Sequence, residues 1–200
     1  MQDYIYLFLL LGIMVLSMIA QGRVQRVFNE FAQTPARSGV TGAQLAQQLL
    51  FENGISMPVQ QVSGSLTDHF NPRDQVVGLS TPVYGSSSVS ALAVAAHEIG
   101  HVLQYNENYA PMRMRSAILP AANIGSRIGP FLVLGGVLLS ILARSTGNVG
   151  YYIALVGVGL YAMMLVFQLI TLPVEFDASK RGLSMLVDGG YLAEDELPGA

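Results

Sequence analysis

The chain is organised as three long apolar runs around a more polar central part. Residues 4–20, 128–143 and 149–174 contain no charged side chain. Because an α-helix needs about 20 mostly apolar residues to cross a bilayer, the pattern predicts three membrane-spanning helices. The first run has no basic segment before it and no small-residue cleavage site after it, which favours an anchor over a signal peptide.

The second and third apolar runs predict a transmembrane hairpin, because only "RSTGN" and its neighbours separate them. Two buried core helices are the alternative, but so short a turn between such apolar runs suits a bilayer better. Pro173 is expected to interrupt or kink the helix of the third run. Glycines are expected to let the two helices approach closely, namely Gly135, Gly136, Gly157 and Gly159.

The polar part between the first two runs shows both helical and strand patterns. In residues 23–33 apolar side chains recur at helical intervals, which favours a continuation of the first helix along the membrane surface, with core packing as the alternative. Next, a short helix is predicted to begin after the cap Thr41 and to end at Asn53 and Gly54. The β-forming segments "VSGSLTDHF" and "QVVGLSTPVY" flank the turn sequence "NPRD" and predict a β-hairpin.

The composition agrees with a membrane protein and limits the partners. Apolar residues make up 52% of the chain and charged residues 12%, which is too apolar for an ordinary soluble domain. The net charge is −3 and the basic residues are scattered along the chain, so the sequence shows no basic patch that would bind nucleic acid, and no nucleic-acid partner is expected. The absence of cysteine excludes disulfides and thiolate metal ligands.

The positions of the basic residues predict the orientation in the membrane. Nine of the ten lie on one side of the predicted spans, and only Arg144 lies in the hairpin turn. Since loops rich in Lys and Arg stay in the cytoplasm, the central polar part and the C-terminus are expected there, with the N-terminus outside.

The segment "AVAAHEIGHVLQY", residues 93–105, places His97, Glu98 and His101 in an apolar helical run. Residues four apart lie on one helix face, so the two imidazoles can bind one metal ion. Glu98 can then accept a proton from a zinc-bound water. Chance gives only about 0.002 matches to His-Glu-x-x-His for this composition. The alternative is that both histidines are ordinary core residues, but Glu98 would then be buried without a counter-charge, which is rare in proteins. We therefore predict a catalytic zinc site.

A catalytic zinc ion needs a third protein ligand, and a water takes the fourth position. Without cysteine, this ligand is His69, a carboxylate or an uncommon choice. Asp177 can pair with Arg181 four residues later, whereas Glu175 shares its helix face with the uncharged Ser179. Glu175 is therefore the better candidate, and Asp177 is expected behind it or on the surface. A charge that merely marks the membrane interface is the alternative.

Four segments in combination resemble a known family, the neutral zinc metallopeptidases of the YugP type. They are "DHFNP" (68–72), "LSTPVY" (79–84), "AAHEIGHVLQY" (95–105) and "LPVEFDAS" (172–179). The resemblance covers nearly the whole chain. It departs at Asn71, where an aspartate is expected, and at Ala200, where family members usually continue into another apolar span.

The resemblance implies a gluzincin-like zinc metalloendopeptidase, similar to HtpX-type and CAAX-prenyl-type membrane metalloproteases. By this resemblance His97, His101 and Glu175 bind Zn²⁺ and Glu98 is the general base. The oxyanion of peptide hydrolysis needs a donor besides the metal, and His69 is the candidate, with Tyr84 as a second choice. A solvated histidine near a turn is the alternative for His69.

The expected fold is α+β, mainly α, with about three transmembrane helices and a small zincin-like cytoplasmic domain that contains a short β-hairpin. Its expected parts are an N-terminal transmembrane anchor (1–22), a cytoplasmic metallopeptidase part (23–127), a transmembrane hairpin (128–174) and a C-terminal segment with the third zinc ligand (175–200).

The expected function is hydrolysis of peptide bonds at the cytoplasmic face of a bacterial cell membrane by a multi-pass integral protein. Its expected partners are a peptide or membrane-protein substrate and the lipid bilayer, and the oligomeric state is left open. The alternative is a catalytically silent zinc-containing scaffold or regulator. Three ligands beside a glutamate in the base position favour the enzyme, because a structural zinc normally has four protein ligands.

Overall fold

A computed structural model describes residues 2–142 and 148–200 of the chain. In this part the chain is mainly helical with one small sheet, as expected. The elements in chain order are α1 (Gln2–Phe31), α2 (Gly42–Glu52), β1 (Val59–Val62), β2 (His69–Asn71), β3 (Val76–Ser80), α3 (Thr81–Tyr84), α4 (Val89–Asn106), α5 (Ala110–Leu142), α6 (Val149–Asp188) and a short 3₁₀ turn (Leu197–Gly199). The predicted hairpin turn around Arg144 lies outside the described residues.

The chain divides into two compact units. One consists of the residues up to Gly100 together with Ser179–Ala200, and the other of His101–Ala178. Both boundaries fall inside continuous helices, because α4 and α6 each contribute residues to both units.

The sheet of the first unit contains the predicted hairpin and one further strand. Strand β2 pairs antiparallel with β3, so that His69 lies opposite Gly78. The hairpin is confirmed, and its turn is stabilised by Asn71, whose Oδ1 accepts a hydrogen bond from the Arg73 amide. The sequence did not indicate β1, which pairs parallel with β3 in the order β1-β3-β2.

The prediction of a strand is wrong for "TPVY", residues 81–84, at the end of the second β-forming segment. Strand β3 ends at Ser80, and α3 follows directly at Thr81. Pro82 lies in the first turn of this helix, where its missing amide proton costs nothing and its fixed φ angle suits the helix.

Helix α2 begins and ends where its sequence predicts. The Thr41 side chain accepts a hydrogen bond from the Gln44 amide, and the Gln44 side chain accepts one from the Thr41 amide, which is a complete capping box. The helix ends at Asn53, and Gly54 follows with φ +68°. The core of the first unit is formed by fully buried side chains, including Leu45, Leu49, Leu79, Leu92, Ile99 and Leu186.

The C-terminal residues of the first unit are tied to its N-terminal part by polar contacts. Arg37 pairs with Asp195, and the Arg37 amide donates to Glu196 Oε1 at 3.0 Å. The Tyr191 hydroxyl donates to Glu52 Oε1 at 3.0 Å. Partial burial, and then the hydrogen bond and charge of Glu52, raise the pKa of Tyr191 above its ordinary value.

Helices α5 and α6 of the second unit are long and apolar enough to cross a membrane, by their length and composition. Only 17% and 11% of their most apolar stretches are buried, which is the opposite of what core helices of a soluble domain show. Helix α1 is continuous through Phe31, so the first run and residues 23–31 form one helix as expected. That α1 is a third span stays a prediction.

Two boundaries of these helices differ from the sequence prediction. Helix α5 begins at Ala110 rather than at residue 128, because the charged segment with Arg113 and Arg115 is already helical. Helix α6 is not interrupted at Pro173 but continues to Asp188. A proline removes a single backbone hydrogen bond, and neighbouring helices and side chains can compensate for that loss in such a long helix.

Glycines let α5 and α6 pack closely, although only half of the predicted ones do so. A Cβ at Gly136 would lie 2.5 Å from the Ala154 nitrogen, and one at Gly157 would lie 2.7 Å from the Val133 nitrogen. The prediction for Gly135 and Gly159 is wrong, because each faces open space. The sequence analysis missed three further close approaches, at Gly125, Gly129 and Gly150.

This packing predicts opposite results for two alanine substitutions on the same helix. Gly157→Ala would press a methyl group against backbone atoms of α5, so we expect the free energy of unfolding to fall by about 1–3 kcal/mol. Gly159→Ala places its methyl group in open space and should be neutral or slightly stabilising. Thermal unfolding in detergent measures both, and equal stability of the two variants would contradict the described packing.

Candidate metal centre and active site

Helix α4 presents two histidines and a glutamate within five residues. His97 and His101 lie one helical turn apart, and Glu98 lies next to His97. The helix begins after Ser88, whose Oγ accepts a hydrogen bond from the Ala91 amide. Its other faces carry fully buried small and aliphatic side chains such as Ala95 and Ile99. This packing holds Glu98 and His101 almost out of solvent, each 7% exposed.

His101 contacts a carboxylate with one ring nitrogen and an amide with the other. Its Nε2 lies 3.3 Å from Glu175 Oε2, and its Nδ1 lies 3.0 Å from Gln104 Oε1. Glu175 is thus placed at the histidine motif by α6, and its role as the third zinc ligand stays a prediction. The other candidate, Asp177, lies behind it and accepts a hydrogen bond from Gln104 Nε2 at 2.9 Å.

Glu175 has a cationic neighbour that the sequence analysis missed. Arg115 Nη1 lies 3.4 Å from Glu175 Oε1, while the other carboxylate oxygen faces His101. The search for a partner of Glu175 considered only residues one turn away on its own helix, and Arg115 comes from α5. Its sequence signal was weak, since it stands among other scattered arginines. The pair places a positive charge beside the Glu175 carboxylate.

His97 lies beside the next turn of α6. Its Nδ1 is 3.0 Å from the Oγ of Ser179, which follows Glu175 by one helical turn. One ligand atom each from His97, His101 and Glu175 lies within 4.8 Å of the other two, so these three residues form a group that could hold a metal ion.

Glu98 and His97 line a cavity of about 340 Å³ in the first unit. Its walls are mostly aliphatic, with side chains from α4 and from the last turns of α6 such as Val94, Leu183 and Leu186. Asp68 also lines the cavity, and its two carboxylate oxygens accept hydrogen bonds from the amide and the hydroxyl of Ser80, at 2.6 and 2.8 Å. Asp68 belongs to the segment "DHFNP", and no role for it was predicted from the sequence.

The two candidates for the oxyanion donor lie elsewhere in the first unit. His69 is exposed on β2, with Nδ1 2.9 Å from the Thr67 carbonyl oxygen and its ring against Gly78. Tyr84 is half-buried in α3. Among the described residues, the lining of the cavity with Glu98 includes neither of them. The oxyanion role of His69 stays a prediction.

The described residues thus define a mainly helical protein with two helices suited to a membrane and a group of two histidines and one glutamate. The chain belongs to the family described as "Putative neutral zinc metallopeptidase", which matches residues 6–200. It is 41% identical over 196 residues to the protein named "Putative membrane protease YugP" from Bacillus subtilis (strain 168), covering 98% of this chain and 83% of that protein. No solved structure matches the chain. The family resemblance drawn from the four sequence segments is confirmed.

Proposed function

We propose that this protein is a membrane-integrated zinc metallopeptidase that hydrolyses peptide bonds of peptides or membrane proteins. The observation that carries the proposal is the group formed by His97, His101 and Glu175, whose ligand atoms lie within 4.8 Å of one another. Two imidazole nitrogens and a carboxylate oxygen are a ligand set typical of catalytic zinc, and they leave the fourth position to water.

The spacing of two of the three ligand atoms fits zinc. His101 Nε2 and Glu175 Oε2 are 3.3 Å apart. Two ligands at about 2.1 Å from one tetrahedral zinc ion are separated by about 3.4 Å. His101 and Glu175 therefore already have the spacing of two zinc ligands, and Arg115 places a positive charge beside Glu175 in this position.

In the proposed mechanism the chain supplies the base and the substrate surface. His97, His101 and Glu175 would hold the zinc ion, which when bound would acidify a water molecule and polarise the scissile carbonyl group. Glu98 accepts the proton of the attacking water and passes it to the leaving amine. Because Glu98 is nearly buried and opens into the cavity beside His97, it meets the substrate there. The aliphatic walls favour substrates with apolar side chains next to the cleaved bond.

Cleavage of a peptide library by the purified protein tests this function. We expect cleavage that a zinc chelator abolishes and added zinc restores. A catalytically silent scaffold would bind zinc without cleaving any peptide, with or without the chelator, and this result would refute the peptidase proposal.

We further propose that α1, α5 and α6 all cross the membrane and that the motif of α4 faces the cytoplasm. The positions of the basic residues and the apolar composition of the helices support this orientation. A reporter that works only in the cytoplasm should then be active when it is fused after Ala200. A reporter that works only outside the cytoplasm should be active when it is inserted near Gly147. The reverse pattern would place the active site on the opposite face.

A further inference from the structure

We infer that Gln104 is a positioning residue that fixes the tautomer of His101 and aligns it with Glu175. The expected effect of Gln104 on zinc binding rests on the proposed function, but the hydrogen bonds that support the inference do not depend on any activity. Gln104 is fully buried on α4, three residues after His101, so every polar atom of its amide needs a partner inside the protein.

The two acceptors around Gln104 determine which way its amide points. Its Nε2 lies 2.7 Å from the Val174 carbonyl oxygen and 2.9 Å from Asp177 Oδ2. A backbone carbonyl oxygen can only accept a hydrogen bond, so the NH₂ group must be on this side. In the opposite orientation of the amide, Oε1 would face two other acceptor oxygens, and no hydrogen would lie between them. The Oε1 atom is therefore the one that faces His101.

For a neutral His101 ring, this orientation leaves a single tautomer. Its Nδ1 lies 3.0 Å from Gln104 Oε1, which is an acceptor, so Nδ1 carries the hydrogen and donates it. A neutral imidazole has a single N–H, and Nε2 therefore presents its lone pair. This nitrogen faces Glu175 Oε2 at 3.3 Å. Two acceptors that face each other at this distance attract a cation, and the arrangement is ready for a metal ion before the ion arrives.

The same amide also anchors the helix that carries Glu175. Its two acceptors are the backbone carbonyl of Val174 and the side-chain carboxylate of Asp177, which lie on either side of Glu175 in the sequence, so Gln104 joins His101 to the turn of α6 that carries the third ligand. The contact of His97 differs, because the Ser179 hydroxyl can either donate or accept. That bond does not by itself select a tautomer, so the positioning role belongs to Gln104.

Histidine ¹⁵N NMR of the metal-free, full-length protein in detergent micelles tests the inference. The chain has three histidines, so His69→Ala and His97→Ala identify the His101 signals. At about pH 9, where an ordinary imidazole is neutral, the hydrogen of His101 should reside on Nδ1. Gln104→Met keeps the side-chain volume but removes both hydrogen-bonding functions, so we expect mixed tautomers. Its zinc affinity, from competition with a chelator, should fall about 10- to 100-fold.

Val102→Ala is the matched control, because Val102 is also buried on α4 and loses packing without touching a ring nitrogen. It should lower the melting temperature while the His101 tautomer stays on Nδ1. Wild-type protein with the His101 hydrogen on Nε2 would overturn the inference even if Gln104→Met does not fold. An unchanged tautomer and zinc affinity in folded Gln104→Met would also overturn it. A protein that keeps the Nδ1 tautomer but cleaves no peptide would contradict only the proposed function.

Discussion

Replacing Glu98 by glutamine is expected to leave about one equivalent of zinc bound while peptide hydrolysis falls by about two orders of magnitude or more. The amide has nearly the shape of the carboxylate and fits the same place on α4, where only 7% of Glu98 is exposed. It cannot accept a proton from the attacking water. Glu98 lines the cavity but is not one of the three residues of the ligand group, so its replacement should affect turnover rather than zinc binding.

Glu107→Gln is the matched control for this experiment. It makes the same chemical change at an exposed position just after α4 ends, and its activity and zinc content should equal those of the wild type. Zinc analysis of the purified variants and turnover of a cleaved peptide give the two readings. Loss of zinc from Glu98→Gln would make Glu98 a ligand, and retained activity would remove it from the mechanism.

Removing the carboxylate of Glu175 is expected to cost the protein its zinc. Two histidines and water are too weak a set to hold the ion against a mild chelator, because catalytic zinc sites use three protein ligands. Glu175→Ala should therefore lose zinc and show no detectable activity. The substitution also leaves Arg115 without the carboxylate that it contacts, so correct folding must be checked by thermal unfolding and membrane insertion.

Two control variants distinguish a zinc ligand from a residue that lies near the site without binding the ion. Asp177→Ala removes an acceptor of Gln104, but the Val174 carbonyl still holds the amide, so most of the zinc should remain with affinity lowered about 10- to 100-fold. His69→Ala should keep all of its zinc, since His69 lies exposed on β2. A zinc-replete Glu175→Ala beside a zinc-free Asp177→Ala or His69→Ala would show that another residue is the third ligand.

The parts of the fold that the sequence predicted are those in which neighbours in the chain interact. The capping box at Thr41 lies within four residues, and the β2–β3 hairpin follows from a turn that Asn71 stabilises. The histidine motif needs only a regular helix to place His97 and His101 together. Each of these features is determined by local backbone geometry, so a pattern of a few residues is enough to indicate it.

The features that the sequence did not predict depend on contacts between distant segments. Strand β1 pairs with β3 in parallel, and nothing in "VQQV" indicates which strand it joins. The glycine contacts depend on how α5 and α6 face each other, which explains why Gly157 packs closely and Gly159 does not. The neighbours of the third ligand, Arg115 and Gln104, likewise come from other helices. The spacing in the sequence was therefore enough to select Glu175 as a candidate ligand, but it could not indicate the contacts around Glu175.

Zinc K-edge X-ray absorption of the purified protein tests directly whether His97, His101 and Glu175 bind zinc, because it counts the ligands of the ion itself. We expect one four-coordinate zinc ion with two imidazole nitrogens at about 2.0–2.1 Å and two oxygens at about 2.0–2.2 Å, one from Glu175 and one from water. Glu175→Ala should give no zinc signal after mild chelation. A third imidazole in the wild-type spectrum, or a protein that binds no zinc when the ion is supplied, would show that His97, His101 and Glu175 do not form the proposed zinc site.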